Sequence, residues 1–492
     1  MNWFDINVQA QIMPYTENPA ADSNRRMASS NTREKMMELP VTVQQALGDA
    51  AKGVSLRDAR QASRHELLRM VLLNDGQENL QAICCKEDLI DLERLNKELG
   101  RDFRMIKSRE QVRVKERAGL RELPALPSLT GWPTIVDRRV DDLPSVALEL
   151  GEQNLAMVMP AEDFRALTEN ADRRSFTVAA ENIAVNLDDP DNDLTQLTFA
   201  IKKFTSLRIQ QRLEDTLELP PLPETAQRII HLRVNPNAVM GDLVDIVESD
   251  PSLAAQVVSW ASSSFYAAAG QVRSVHDAIS RVLGFDMVMN LAMGLSLGRA
   301  LRQPQDHPDG YVDYWQQAIW QAQSAGVLAS MMPRGERPVF GLAYLAGLLH
   351  NFGYLLLAQV FPPHFSLVCR SLEVNPGIDS SVSEHYLLGI TREQVAARLM
   401  ENWGMPDEVN LALRYQKNRG YKGANCVYAR LLWLGRQLLT ARGVALGASE
   451  PIGGQEIYDE LGLDREQVEV QFDELVASKD NIMAMAGMMN QQ

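Results

Sequence analysis

The stretch GLAYLAGLLHNFGYLLLAQV, from Gly341 to Val360, is apolar on nearly every side. A helix without a polar face must be enclosed by other helices or cross a bilayer. From Val339 to Phe361 the run is long enough to span a membrane, but His350, Asn351 and Gln359 interrupt it and Gly341, Gly347 and Gly353 punctuate it. The expectation is one buried central helix of an all-α bundle, with no membrane contact. A chain of 492 residues is long enough for two or three domains, so the bundle need not be the whole molecule.

Other segments from about Leu217 onward carry helical period alone. In ESDPSLAAQVVSWASSSFY, Asp250 is placed to cap a helix that has Pro251 in its first turn, where a missing N–H costs nothing. YVDYWQQAIWQAQSAGVLASMM aligns Trp315, Ala318, Ile319, Ala322, Ala325 and Ala329 in one stripe. ITREQVAARLMENWGMP opens with Thr391 and Gln394 in capping-box positions and aligns Val395, Ala396, Leu399 and Trp403. Helices over 427–441 and 465–485 follow, and the last methionines, Met483 to Met489, read as a frayed end.

The earlier part of the chain has a different grammar. HELLRMVLL and NLQAICC flank Asn74-Asp75-Gly76-Gln77, a hairpin signal because Gly tolerates the positive φ of the turn. DLIDLERLNKELG predicts a helix with Leu89, Leu92, Leu95 and Leu99 on one face and Gly100 as its C-cap. WPTIVD and NLAMVMP read as strands and AEDFRALTEN as a helix. The fold class is multidomain: a disordered polar tail over 1–38, an α+β domain over 39–170, a linker over 171–211 containing DDPDND, an all-α domain over 212–416, and its helical extension over 417–492.

The formal net charge is −15, which favours protein partners over an all-round grip on nucleic acid. From Lys52 to Arg121, however, sixteen Lys and Arg face twelve Asp and Glu, so this segment is net +4 and the remainder net −19. Within it RDFRMIKSREQVRVKER could meet phosphates, yet Phe103 is its one aromatic, and a solvated face explains the run as well. Cys84, Cys85, Cys369 and Cys426 show no metal-binding spacing and suit a reducing compartment. The first forty residues lack a signal-peptide pattern, so the expected location is the cytoplasm. No phosphate-binding GxxxxGK[ST] loop and no GxSxG turn is present.

The chemistry turns on His350 and Asn351. A His-Asp pair can present an imidazole nitrogen and a carboxylate to one divalent ion, whereas an Asn carbonyl does little to offset the ion's charge. The words LPPLPETAQRII, IVESDPSLAAQVV, ASSS, HDAISRVLG and AGLLHNFGYLLL, in that order, resemble an HDOD domain, a bacterial helical relative of the HD metal-dependent phosphohydrolases. The resemblance implies a regulatory or signalling module. It also implies that Gln317, His350 with Asn351, Arg392, Tyr415 and Gln416 stand at or near positions where catalytic relatives or other HDOD domains carry His and Asp. Only the histidine at 350 remains. One imidazole among amides and a guanidinium is too few ligands for a hydrolytic ion, so no metal or other cofactor is expected.

The region from about Val41 to Asn170 resembles the YbaK-like aminoacyl-tRNA deacylase domains through the NDG hairpin, DLIDLERLNKELG, the basic stretch and WPTIVDRRV. In that family a lysine on the first hairpin strand serves the editing chemistry, and Arg69 stands there in this chain, with Lys107 and Arg109 as further candidates for a tRNA-type pocket. Arginine keeps the charge but not the compact ammonium. Both resemblances together imply a non-catalytic cytoplasmic signal-transduction regulator that contacts signalling proteins, with at most a weak tRNA contact. The alternatives are an aminoacyl-tRNA deacylase working through Arg69 and an atypical HD-type phosphohydrolase around His350.

Overall fold

In a computed structural model the chain forms a mixed α/β unit followed by a helical unit. The structure describes residues 39–59, 62, 66–151, 155–209, 221–263, 266, 271–444 and 454–489, and the expected tail over 1–38 lies outside them.

The strands of the first unit are β1 (Ser55–Asp58), β2 (Leu67–Asn74), β3 (Asn79–Cys85), β4 (Asp88–Ile90), β5 (Arg104–Met105), β6 (Thr134–Asp137), β7 (Ser145–Glu149), β8 (Leu155–Pro160), β9 (Asp172–Arg174) and β10 (Thr177–Ala179). One mixed sheet runs β1-β8-β7-β2-β3-β6-β9, with β5 beside the far end of β2, while β4 and β10 pair separately. The expected hairpin is β2–β3, closing at Asn74 opposite Asn79. Asp75 holds its turn by accepting bonds from the N–H groups of Gln77 (2.9 Å) and Glu78 (2.8 Å), and Gly76 sits at φ +89°. Along β2 the strand period sends Arg69, Val71 and Leu73 to one face. Val71 and Leu73 there pack with Leu92 and Leu95 of the Leu92–Leu99 helix.

Two expectations for this part need correction. Leu89 belongs to β4 rather than to the helix: Asp91 caps the Leu92–Leu99 helix by accepting from Arg94 N, so the helical period begins three residues later than the leucine spacing suggested. The span expected to be a linker also has structure of its own. β9 pairs in parallel with β6, β10 pairs with β4, and a helix runs from Asp193 to Ile209. The short strands have no apolar alternation to reveal them, because backbone pairing holds them. The Asp193–Ile209 helix is tied down by Arg414, whose Nε (2.5 Å) and Nη2 (2.9 Å) donate to the two oxygens of Asp193.

In the helical unit, Asp250 caps the Pro251–Ala261 helix through Leu253 N (3.0 Å), and the Thr391–Gln394 capping box forms as expected. The central apolar run is not one helix. It divides into Phe340–Leu349 and Phe352–Val360, because His350 N bonds back to Gly347 O and Asn351 leaves helical geometry at φ −106°, ψ 17°. Of its most apolar window 89% is buried inside the protein, which is the enclosure that an all-apolar helix requires. The chain's last described helices, Arg465–Ala477 and Lys479–Met489, also correct an expectation: Met485 and Met489 are in the core, and Met488 Sδ accepts from Ser259 Oγ (2.7 Å).

Candidate functional site

Two glycines bring the singled-out residues together. A Cβ on Gly347 would lie 2.5 Å from Ala322 Cα, so the Phe340–Leu349 helix sits directly against the Tyr314–Met331 helix, which carries Gln317. A Cβ on Gly353 would run into the Arg392 carbonyl, so the Phe352–Val360 helix touches the first turn of Arg392–Asn402. Between these contacts Asn351 is gripped on both sides. Its Nδ2 donates to Gln317 Oε1 (3.3 Å), and its Oδ1 accepts from Arg392 Nη1 (2.8 Å). Where a carboxylate beside His350 would face an ion, an amide here faces a guanidinium.

The other positions are equally occupied. His350 Nδ1 donates to Gly347 O (2.8 Å), and the His350 carbonyl accepts from Gln416 Nε2 (2.8 Å). Burial, reinforced by Arg392 and Arg436, pushes the imidazole pKa down to about 4, so the ring is neutral at physiological pH. Arg392 itself is clamped by Glu384, which accepts from its Nε, its Nη2 and its backbone N (2.9 Å). Tyr415 is absent from this arrangement; it stacks on Tyr421 with ring centroids 3.8 Å apart.

Around these residues lies a cavity of about 360 Å³ whose wall comes from both units: Met105, Ile106 and Gln111 on one side, and His350, Asn351, Arg392 and Gln416 on the other. Its wall also holds charged groups that the sequence reading missed. Lys417 Nζ bonds Asp379 Oδ1 (2.8 Å), Ser380 Oγ (2.7 Å) and Glu393 Oε1 (3.2 Å), and Arg436 Nη1 bonds Asp379 Oδ2 (3.3 Å). Burial alone would raise the Glu393 and Asp379 pKa values, but Lys417 acts on both, with Arg392 on the first and Arg436 on the second, and the net shift is downward. Arg436 had a legible signal: it shares a helical stripe with Leu432 and Leu439, a lone cation among buried apolar residues. Cations already occupy the space between the acids. A divalent ion does not fit this donor set, and among the described residues no metal-binding group of His, Cys, Asp and Glu converges.

Arg69 meets a different fate. Its Nη1 donates to Val374 O (2.7 Å), and its Nη2 to Asp88 O (2.9 Å) and Asn375 Oδ1 (2.6 Å). Val374 and Asn375 end the Pro362–Val374 helix of the other unit, and Val374 is fully buried in the core that contains Val71, Leu73 and Cys84. Asn375 also accepts from Ile90 N (2.8 Å) and donates to Ile90 O (3.1 Å), pairing with β4 as a neighbouring strand would. Lys107 and Arg109 stand exposed at the start of the Ser108–Ala118 helix while Arg69 turns inward, so the three do not share a pocket. That helix is joined to the second unit as well, since Asp309 accepts from Ser108 N (2.6 Å) and Oγ (2.7 Å).

The HDOD domain family matches residues 219–419. A protein of Marinobacter aquaeolei VT8, provisionally titled a signal transduction protein, is 78% identical in its crystal structure over 92% of this chain and 100% of its own, with a TM-score of 0.86. An uncharacterized protein of Treponema pallidum (strain Nichols) is 23% identical over 43% of this chain and 39% of its own, so the chain spans about two fifths of that relative's length. A trans-editing enzyme for prolyl-tRNA synthetase, also provisionally titled, aligns with 28% of this chain and 95% of its own at 16% identity and a TM-score of 0.24, a likeness too slight to argue from. The chain belongs to the HDOD-domain proteins, with the HDOD domain at residues 219–419 behind a mixed α/β unit.

Proposed function

We propose that this protein is a cytoplasmic signal-transduction regulator that works by binding and not by turnover, its helical unit presenting a surface to a signalling protein. The observation that supports this reading most is the Arg392–Asn351–Gln317 chain of hydrogen bonds, which fills the place of a metal centre with groups that repel or ignore a cation. Arg69 supports it from the other side, because the residue standing where an editing lysine is expected is spent on holding Val374 and Asn375. The relative titled as a signal transduction protein agrees with it.

Metal analysis of the purified chain, a phosphodiesterase assay, and hydrolysis of mischarged tRNA by the native protein and by Arg69→Lys test the reading together. The expected result is no stoichiometric manganese or iron and no turnover in either assay. One bound ion per chain that disappears in His350→Ala, or deacylation that appears with Arg69→Lys, contradicts it.

A further inference from the structure

One cluster of charged groups at the cavity is balanced in number, Arg392, Lys417 and Arg436 against Asp379, Glu384 and Glu393, with no side chain among them more than 23% exposed; elsewhere in the wall Glu373 is paired with Arg370 and Asp309 is exposed to solvent. Their bonding is not complete. Among the described residues, Glu393 Oε2 and the Nε and Nη2 atoms of Arg436 have no hydrogen-bond partner; both residues line the cavity, and because the atoms themselves are buried a ligand reaches them through a small turn of each side chain. Nε and Nη2 lie on one edge of a guanidinium, the edge that matches a carboxylate with two parallel bonds. A buried carboxylate oxygen without a donor calls for a cationic N–H group.

A ligand that met one of these needs alone would add net charge to a balanced, poorly hydrated cluster, at a high desolvation cost. A molecule carrying both an ammonium and a carboxylate meets the two needs and leaves the balance unchanged. Lys417 and Asp379 link the two loose ends, since Lys417 touches both Glu393 and Asp379 and Arg436 touches Asp379, which places them within reach of one small molecule. The remaining wall supplies apolar surface from Met105, Ile106, Tyr311, Trp320 and Ile378 for a side chain. A volume of about 360 Å³ lies at the small end of ligand pockets.

We propose that this cavity is a binding site for a small zwitterion of the α-amino acid class, its carboxylate on the free edge of Arg436 and its ammonium on Glu393. The proposal rests on the non-catalytic reading, since the ligand is held and not converted. Because Met105, Ile106 and Gln111 share the wall, the bound molecule touches both units, and its occupancy is an input that the regulator can register.

The test is a thermal-shift survey of the full chain against each of the common L-amino acids at about 10 mM, with acetate, methylammonium and inorganic phosphate as controls. At tenfold its Kd a binder raises the Tm by roughly 1 to 3 °C. The expected result is a rise with one or a few amino acids and none with the controls. The N-acetyl and carboxamide derivatives of the binder should each lose at least tenfold in affinity, which examines both anchors without altering the protein. Glu393→Gln and Arg436→Lys should lose the response as well. No rise with any amino acid, a rise with acetate or phosphate alone, or equal binding of the blocked derivatives overturns the proposal. Mass spectrometry of the recovered ligand separates the two readings: an unaltered ligand supports both, whereas a converted one overturns the non-catalytic reading and, with it, the claim that the cavity only binds.

Discussion

The two sites that the sequence singles out depart from their expected residues in opposite ways. Around His350 the replacing side chains grip one another, Arg392 on Asn351 and Glu384, Lys417 on Asp379 and Glu393, and a cavity remains between them. Around Arg69 the replacing side chain grips the backbone of the other unit, and Val374 is driven into the space alongside. The first arrangement keeps a void that can accept a ligand. The second is a joint. A residue that departs from the expected pattern is therefore absorbed in more than one way, and which one depends on whether its partners come from its own unit or from outside it.

Breaking the joint should have the largest effect. In Asn375→Ala, Ile90 N and O and one Arg69 donor lose their partners in a buried place, and buried polar groups left unpaired cost about 1 to 3 kcal/mol each. A total loss of about 4 kcal/mol, read from urea unfolding, is expected, together with faster amide exchange along β4, where Asn375 mimics a paired strand. A loss below about 1 kcal/mol would mean that the units are not held by this contact, and the contrast between the sites would then fail. Arg69→Ala should show a somewhat smaller loss, because it takes the Arg69 donors from the Val374 and Asp88 carbonyls, while Asn375 Oδ1 keeps its bond from Ile90 N.

Asn351→Asp sharpens the other half. The new carboxylate would suit Arg392, but it would set an oxygen against Gln317 Oε1, whose own amide nitrogen is committed to Val312 O (2.5 Å). It would also tip the buried charges from three against three to three against four. A loss of about 2 kcal/mol without gain of phosphodiesterase activity is expected, because among the described residues no further ligand converges there. Gained turnover at unchanged stability would show that a metal site lies closer to the surface of this fold than the side chains indicate.

How much of this was legible beforehand depends on the range of the interaction. The hairpin at Gly76, the caps at Asp250 and Thr391 and the stripe from Trp315 to Ala329 are local, so periodicity and turn chemistry found them. The HDOD words were local too, and so were Gln317, His350, Asn351 and Arg392, which the fold does bring together. The division of the apolar run at Asn351 escaped, because hydrophobicity continues through it unbroken and only the backbone turns. The joint escaped for a stronger reason. Arg69 and Asn375 are separated by about three hundred positions, and neither carries a local pattern that names the other. Glu393, in the first turn of the Arg392–Asn402 helix, and Lys417, in the turn after the Asp407–Tyr415 helix, carry no local pattern that names the other, and only packing brings them together.

The smallest effect should come from acid, and it tests whether the His350 cavity is as shielded as its neighbours suggest. The unfolded chain takes a proton on this imidazole near pH 6.5, whereas burial beside Arg392 and Arg436 delays protonation in the folded protein until about pH 4. Between those values the unfolded state binds more protons, so stability is full above pH 6.5, falls as the pH drops through the window, and levels off below pH 4. From pH 7 to pH 5 the loss from this one group is about 1 to 2 kcal/mol, allowing for water in the cavity. His385, which burial also lowers, adds to the same slope, so the native curve alone does not identify its source. Asp379 and Glu393, held low by Lys417, keep their charge until more acid conditions, whereas burial raises Asp88, Glu373 and Glu384 toward this interval and makes them act in the opposite sense, so only the difference between native chain and variant reports on the histidine. Urea unfolding of the native chain and of His350→Gln at pH 7 and pH 5 isolates the group. The variant should lose about 1 to 2 kcal/mol less on acidification. Equal losses would place His350 in full contact with bulk water, and the void beside it would then offer a ligand no more shelter than the surface does, which would remove its contrast with the buried joint at Arg69.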